Sequence, residues 1–239
     1  MTTVAEQLES VGMAHVKGLL DEAELEPIRR ELHKLHSNFN HLPQDFKKNS
    51  DANSGAEIRE ISGLVKHSSV FEHSTAYQKC YDLAQQIFDK TPHYGHDECI
   101  FKAPGGQPVD WHQDQTYSKY DKDKQCVSIW IPLQNTNKDN GGMEYVLNCR
   151  ESLREHSKVT PDSFMYRIDP DQLNDVNTIS PEMFVGDVCV HTPLCIHRSH
   201  PNNSDQIRVA WIIQFNKYGS MRFLRLQNLK KYLPGSKTA

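Results

Sequence analysis

Beyond Pro92 the chain breaks into short apolar runs that are too brief for helices. Segments 97–103, 109–114, 126–134, 142–148, 164–168, 187–192, 195–199 and 206–216 are rich in β-branched and aromatic residues. Turn-forming clusters separate them, among them Gly105-Gly106, Asn140-Gly141-Gly142 and Pro201-Asn202-Asn203. Short strands in this number, punctuated this way, predict a sandwich or barrel.

The region before Pro92 has a different period. Residues 3–10 predict a short helix, and 12–16 a brief strand. Asp21 followed by Glu24 reads as a capping box that opens a second helix. Leu25, Ile28, Leu32 and Leu35 recur at helical spacing along one face of it, with Pro27 placed in the first turn. The polar, turn-rich stretch 40–56 reads as a mobile loop and a candidate lid. A further helix is expected from Val70 to Phe88, burying Phe71, Tyr77, Tyr81, Ala84 and Phe88. The expected fold is α+β, a double-stranded β-helix (jelly roll, cupin-like) core with N-terminal helices packed on one sheet. One domain, 1–239, is expected, with a helical layer and loop at 1–92, the jelly-roll core at 93–218 and a C-terminal tail at 219–239.

Composition removes several classes of function. Mean hydropathy is −0.69, and no run of eighteen apolar residues exists to span a membrane. A net charge of −4 argues against nucleic acid or an anionic membrane surface as partner. No basic segment followed by an apolar one opens the chain, and the six cysteines show no C-x-x-C spacing. Reduced thiols in a cytoplasmic protein with a small-molecule substrate are therefore expected. No sequence feature specifies an oligomeric state.

The chemistry gathers at Trp111-His112-Gln113-Asp114. On an extended strand His112 and Asp114 leave the same face. A histidine later in the chain would complete a two-His, one-carboxylate set, which caps one face of an iron(II) ion and leaves the other open. His191, His197 and His200 compete for that role. The apolar run Pro193-Leu194-Cys195-Ile196-His197 is best placed to deliver a ligand into a barrel, whereas His200 precedes Pro201 and belongs with the turn. Arg208 lies inside the apolar strand Ile207-Arg208-Val209-Ala210-Trp211 with no acid beside it. A buried guanidinium needs an anion, and a ligand carboxylate held bidentately would serve. Lys102, Tyr117, Tyr120, Arg154, Arg167 and Arg222 are candidate substrate contacts, but each is read first as a solvated surface residue.

Taken in order, several pieces resemble the phytanoyl-CoA dioxygenase family. They are Lys102-Ala103-Pro104-Gly105-Gly106, Trp111 to Asp114, Trp130-Ile131-Pro132-Leu133, Asn140 to Met143, Gly186-Asp187-Val188, Pro193 to Ser199, and Asn202 to Arg208. The opening Gly12-to-Leu35 segment resembles the family's first strand and helix. The resemblance implies that His112, Asp114 and His197 hold Fe(II), and that Arg208 and Ser199 meet the distal carboxylate of 2-oxoglutarate. It further implies that Gln113 and Trp130 line the cosubstrate pocket, although strand alternation would turn Gln113 away from the metal unless the strand bulges. The chain departs from the family at Glu144-Tyr145-Val146-Leu147-Asn148-Cys149-Arg150, where relatives carry a Pro-Gly-Ser-His turn.

The implied function is a dioxygenase that uses 2-oxoglutarate and O2 to hydroxylate an aliphatic C–H of a small molecule, amino-acid-like, lipid-derived or a natural-product intermediate, releasing succinate and CO2. Retention of Asp114 favours hydroxylation over halogenation. The same iron site can serve desaturation or ring closure. A non-catalytic cupin-like binding protein, or a barrel with a redox-neutral metal, would also accommodate the triad, but a redox-neutral metal site has no need of an anion-binding arginine such as Arg208. Substrate identity is expected to reside at 144–150 and in the 40–56 loop.

Overall fold

The computed structural model describes residues 2–50, 58–118, 125–148, 152–161 and 165–219. Tyr120, Cys149, Arg150, Arg222 and nearly all of the expected C-terminal tail lie outside them. The N-terminal part runs α1 (Val4–Ser10), β1 (Met13–Val16), α2 (Glu22–Ser37), β2 (Lys47–Ser50), β3 (Ile58–Ser62), α3 (Leu64–His67), α4 (Ser69–Glu72) and α5 (Thr75–Phe88). The strand-rich part follows with β4 (His93–Lys102), β5 (Val109–His112), β6 (Cys126–Pro132), β7 (Met143–Val146) and β8 (His156–Lys158). It ends with β9 (Tyr166–Ile168), β10 (Thr178–Ile179), β11 (Val188–His191), β12 (His197–Ser199) and β13 (Arg208–Asn216).

Helix starts follow the side chains available to cap them. Asp21 accepts from the Glu24 N–H at 2.9 Å while the Glu24 carboxylate accepts from the Asp21 N–H at 2.9 Å, closing the expected capping box. Pro27 is the sixth residue of α2 rather than part of its first turn, so Ala23 loses its i+4 donor there. The single helix expected over 70–88 is interrupted. Ser74 caps α5 by accepting from the Tyr77 N–H at 3.0 Å, and Ser68 similarly opens α4.

A seven-stranded sheet in the order β1-β11-β6-β13-β4-β3-β2 faces a four-stranded sheet in the order β10-β7-β12-β5, with every pairing antiparallel. This is the expected jelly roll. The stretch expected to be a free loop at 40–56 instead contains β2, which pairs with β3 and extends the large sheet at its edge. Residues 51–57 of that stretch lie outside the described residues.

The large sheet divides its residues by parity. Trp211, Ile213 and Phe215 of β13, Cys99 and Phe101 of β4, and Ile129 and Ile131 of β6 point outward into one core with Leu25, Ile28, Leu32, Phe71 and Leu83. Trp211 is fully buried there, and its indole N–H donates to Asp97 Oδ2 at 3.0 Å. Each large apolar side chain buried against these helices contributes roughly 1.5–3 kcal/mol. The alternate residues face inward, toward the small sheet. Among the described residues, no helix is long and apolar enough to cross a membrane.

The N-terminal layer is tied to the barrel at the Gly186-Asp187 turn. Asp187 accepts from the Gly18 N–H at 2.9 Å and lies 3.0 Å from His15 Nε2. Gly186 has φ of 98°, and a Cβ there would sit 2.2 Å from the Leu20 carbonyl oxygen. Only glycine fits that close crossing.

Candidate active site

β5 brings the first ligand candidate to the inner face through a bulge. His112 pairs with His197 and Val109 with Ser199, so three steps on β5 match two on β12. Both Val109 and His112 therefore face the interior while Trp111 turns outward, where Arg198 lies over its ring at 4.5 Å. The strand expected to continue to residue 114 ends at His112. Gln113 is still extended (φ −125°, ψ 131°), and a single turn of 3₁₀ helix begins at Asp114. That one extended residue returns Asp114 to the side of His112.

His112, Asp114 and His197 converge, each offering one ligand atom within 4.8 Å of the others. His112 Nδ1–H donates to the Asp110 carbonyl at 2.7 Å, and His197 Nδ1–H donates to the Cys195 carbonyl at 2.9 Å. Both rings thereby present an Nε2 lone pair inward, the tautomer a metal ion requires. The two oxygens of Asp114 are used differently. Oδ2 accepts from Ser128 Oγ at 3.0 Å and lies 3.3 Å from His191 Nε2. Oδ1 lies 3.5 Å from His197 Nε2 and 3.9 Å from His112 Nε2. One carboxylate oxygen and two imidazole nitrogens are thus left facing a common point.

Electrostatics prepare the same groups. Burial lowers the His112 and His197 pKa values, that of His197 strongly, with neighbouring histidines adding to the effect. Burial alone would raise Asp114, but His197, the His191 hydrogen bond and His112 together hold it well below the usual carboxylate range. At neutral pH Asp114 is therefore a carboxylate.

Two cavities meet at this set. The smaller, about 90 Å³, is lined by Trp130, Met143, His191, Ser199 and Arg208 together with the triad. Arg208 is 2% exposed, and its Nε and Nη1 are buried without any hydrogen-bond partner. Burial pulls its guanidinium down to about 10, which still leaves it charged at neutral pH. The Trp130 ring lies 5.9 Å from it. The larger cavity, about 330 Å³, shares Glu98, Ile100, Val109, His112, Asp114 and Ile212 with the smaller one.

Lys102, read from sequence as a surface residue, is completely buried. Its Nζ donates to Ser199 Oγ at 2.8 Å and to the His200 carbonyl at 2.7 Å. It pairs in register with Arg208, and burial and then Arg208 pull its pKa down to about 6. Arg154 and Arg167 are exposed as expected; Tyr117 is about half exposed but also lines the larger cavity.

Gln113 is placed differently from the cosubstrate contact that the resemblance implies. Its Nε2 donates to the Leu194 carbonyl at 2.7 Å and the Ser152 carbonyl at 3.0 Å, and its Oε1 accepts from the Arg154 N–H at 2.8 Å. Both amide hydrogens are spent on backbone, and the side chain lines neither cavity. Gln113 instead ties the ligand-bearing strand to two later loops. Gln113→Ala should strand those buried backbone groups and lower stability by about 2–4 kcal/mol, measurable as a drop in the urea midpoint.

The departure at Glu144 also turns away from the cavities. Glu144 pairs with Arg198 at 2.6 Å and accepts from Thr178 Oγ1 at 2.8 Å, on the side of β7 opposite Tyr145. His200 lies 3.3 Å from the same carboxylate, outside the triad.

The family model described as phytanoyl-CoA dioxygenase matches residues 8–210. A curated relative, the probable alpha-ketoglutarate-dependent hypophosphite dioxygenase of Stutzerimonas stutzeri, is 24% identical over 152 residues, 62% of this chain and 53% of that protein. The chain thus spans about half of that relative's length. EvdO2 of Micromonospora carbonacea var. aurantiaca, solved with 2-oxoglutarate, superposes with a TM-score of 0.71 at 20% identity, covering 89% of each chain. The epimerase SnoN and the carbocyclase SnoK of nogalamycin biosynthesis, both described as non-heme and alpha ketoglutarate dependent, superpose at 0.71 and 0.67. They are 15% and 16% identical, cover 99% of this chain, and are themselves covered over 90% and 92% of their lengths. Such identities establish a shared fold. With a family match across residues 8–210, the chain belongs to the phytanoyl-CoA dioxygenase family of iron- and 2-oxoglutarate-dependent oxygenases.

Proposed function

We propose that this protein is an Fe(II)- and 2-oxoglutarate-dependent hydroxylase of a small molecule, with iron held by His112, Asp114 and His197. The observation that carries this reading is the buried, unpartnered Arg208 guanidinium in the same cavity as those three side chains. A redox-neutral metal site has no use for an uncompensated cation there, since leaving one buried is strongly unfavourable. A dicarboxylate cosubstrate supplies the missing anion.

When bound, iron and 2-oxoglutarate supply O2 activation coupled to decarboxylation. The protein's part is binding and orientation. Ser128 and His191 occupy Asp114 Oδ2, which keeps Oδ1 for the metal. Arg208 holds the distal carboxylate, with Trp130 as a wall beside it. Ser199 accepts from Lys102, so its own hydroxyl hydrogen is free to turn to the same carboxylate.

The larger cavity, open toward Tyr117, Ser118 and Met165, is the substrate chamber. Its volume fits a compact metabolite. The hypophosphite named for the Stutzerimonas relative is a small anion and would meet Glu60 and Glu98 in this wall, so a larger, non-anionic substrate is favoured. Asp114 fills the position at which a halogenase would need room for chloride. Hydroxylation is the default, and desaturation or ring closure would follow from substrate placement alone.

The test is anaerobic Fe(II) titration with 2-oxoglutarate. A weak visible charge-transfer band is expected, and bound iron without the band would refute the cosubstrate assignment.

Lys102 adds a second signature. With the pocket empty it is mainly neutral above pH 6, and an anion beside it raises its pKa, so cosubstrate binding takes up protons. Affinity for 2-oxoglutarate should therefore fall as pH rises from about 6 to 9. Calorimetry in buffers of different ionisation enthalpy should show net uptake approaching about one proton at pH 8, and Lys102→Met should remove it.

A further inference from the structure

The inward face of the large sheet is a ladder whose rungs are set by register. Arg208 stands beside Lys102, Ile212 beside Glu98, and Gln214 beside His96. On the next strand Glu60 stands beside Ile100, with Lys48 beyond it. The ladder is basic at the Arg208 end and carries two carboxylates, Glu60 and Glu98, where it enters the larger cavity, with Lys48 and His96 beside them.

The two glutamates are not equivalent. Glu60 is matched: Lys48 Nζ lies 2.6 Å from its Oε1, and Ser62 Oγ donates to the same oxygen at 2.8 Å. Among the described residues, Glu98 has no lysine or arginine within ion-pair distance, only His96 Nε2 at 3.4 Å. Its carboxyl is raised to about 7, by burial first and by Glu60 second. A carboxylate on a cavity wall whose only basic neighbour within ion-pair distance, among the described residues, is the half-exposed His96 is weakly compensated. Glu98 also borders both cavities, the one position of the acidic wall shared with the iron-proximal chamber.

We infer that the substrate carries a cationic nitrogen, an ammonium or similar group, and that Glu98 anchors it, holding a carbon of the same molecule toward His112 and Asp114. This rests on the oxygenase reading and narrows its substrate class. The ladder supplies the discrimination. The 2-oxoglutarate end is cationic and rejects the ammonium, while the Glu98 carboxylate at the substrate end disfavours a second dicarboxylate, so each ligand is steered to its own chamber.

The experiment uses the iron(II)- and 2-oxoglutarate-loaded protein without O2 and three probes of one shape, hexylammonium, hexanol and hexanoate. The charge-transfer band reports loading in every sample, and calorimetry reports probe binding. Hexylammonium is expected to bind about tenfold or more tighter than hexanol, with hexanoate weakest. In Glu98→Gln the advantage of the cation should disappear.

Equal or tighter binding of hexanol or hexanoate by the wild type would overturn the inference without any variant. So would a loaded protein that binds none of the three. A preference that survives Glu98→Gln would overturn the assignment to Glu98. Absence of the band in the wild type would instead overturn the oxygenase reading beneath it.

Discussion

Arg208→Ala should bind iron normally and lose 2-oxoglutarate. The guanidinium is buried with Nε and Nη1 unpartnered and, among the described residues, no acid pairs with it, so on the proposed reading its favourable interactions come from the cosubstrate. Truncating one partner of a buried, hydrogen-bonded charge pair costs roughly 2–5 kcal/mol, which is about 30-fold to a few thousandfold in affinity. The same change removes an uncompensated buried charge from the empty protein, so thermal stability without 2-oxoglutarate should be unchanged or higher. That combination of weaker cosubstrate binding and undiminished apo stability separates a ligand-binding arginine from a structural one. Arg208→Lys should recover little, because a single ammonium lacks the planar fork and would sit beside Lys102. Loss of the charge-transfer band with iron still bound is the readout. A fall in apo stability of several kcal/mol would mark Arg208 as structural.

The jelly roll was legible because its core strands alternate cleanly. In β13 the outward Trp211, Ile213 and Phe215 interleave with the inward Arg208, Ala210, Ile212 and Gln214, and that parity is visible in the residues themselves. The edge strand β2 was not legible, since Lys47-Lys48-Asn49-Ser50 carries no apolar alternation and is held by backbone pairing to β3. Such polar edges guard a sheet against further pairing, and they look like loops in sequence. The break before α5 lay hidden in a continuous apolar period, with Ser74 the only local sign of a new helix start.

At the site, the convergence of His112, Asp114 and His197 and the burial of Arg208 were legible because these residue types have few alternative uses inside apolar strands. Lys102 was misread because lysines are rarely fully buried. The signal that could have found it is its parity with Ile100, together with the pairing of its strand to the one bearing Arg208. Glu98 shares that parity. Gln113 could not be placed from sequence. Its partners are backbone groups of Ser152, Arg154 and Leu194, and a backbone acceptor leaves no trace in residue type.

His197→Ala should weaken iron binding by on the order of 100-fold or more and cut 2-oxoglutarate turnover with it, whereas His191→Ala should have a smaller effect on both. The two rings are neighbours, 4.4 Å apart between centroids, and both are buried. Only their hydrogen bonds tell them apart. His197 gives its Nδ1–H to the Cys195 carbonyl and turns a lone pair toward Oδ1 of Asp114. His191 lies against the other oxygen, and its Nδ1 has no partner, so its proton sits on the nitrogen facing Asp114. A metal replaces a lone-pair contact and cannot replace a donor.

Structural metal sites are worth roughly 10–16 kcal/mol over four ligands, or about 3 kcal/mol each, so losing His197 should weaken iron by on the order of 100-fold or more. Losing a group that orients a ligand typically weakens a metal by about 10–100-fold, the range expected for His191→Ala. Competition with a chromophoric Fe(II) chelator measures both. Should His191→Ala release iron more completely than His197→Ala, the ligand set would be His112, Asp114 and His191, and the paired hydrogen bonds of Asp114 would have to be read the other way round.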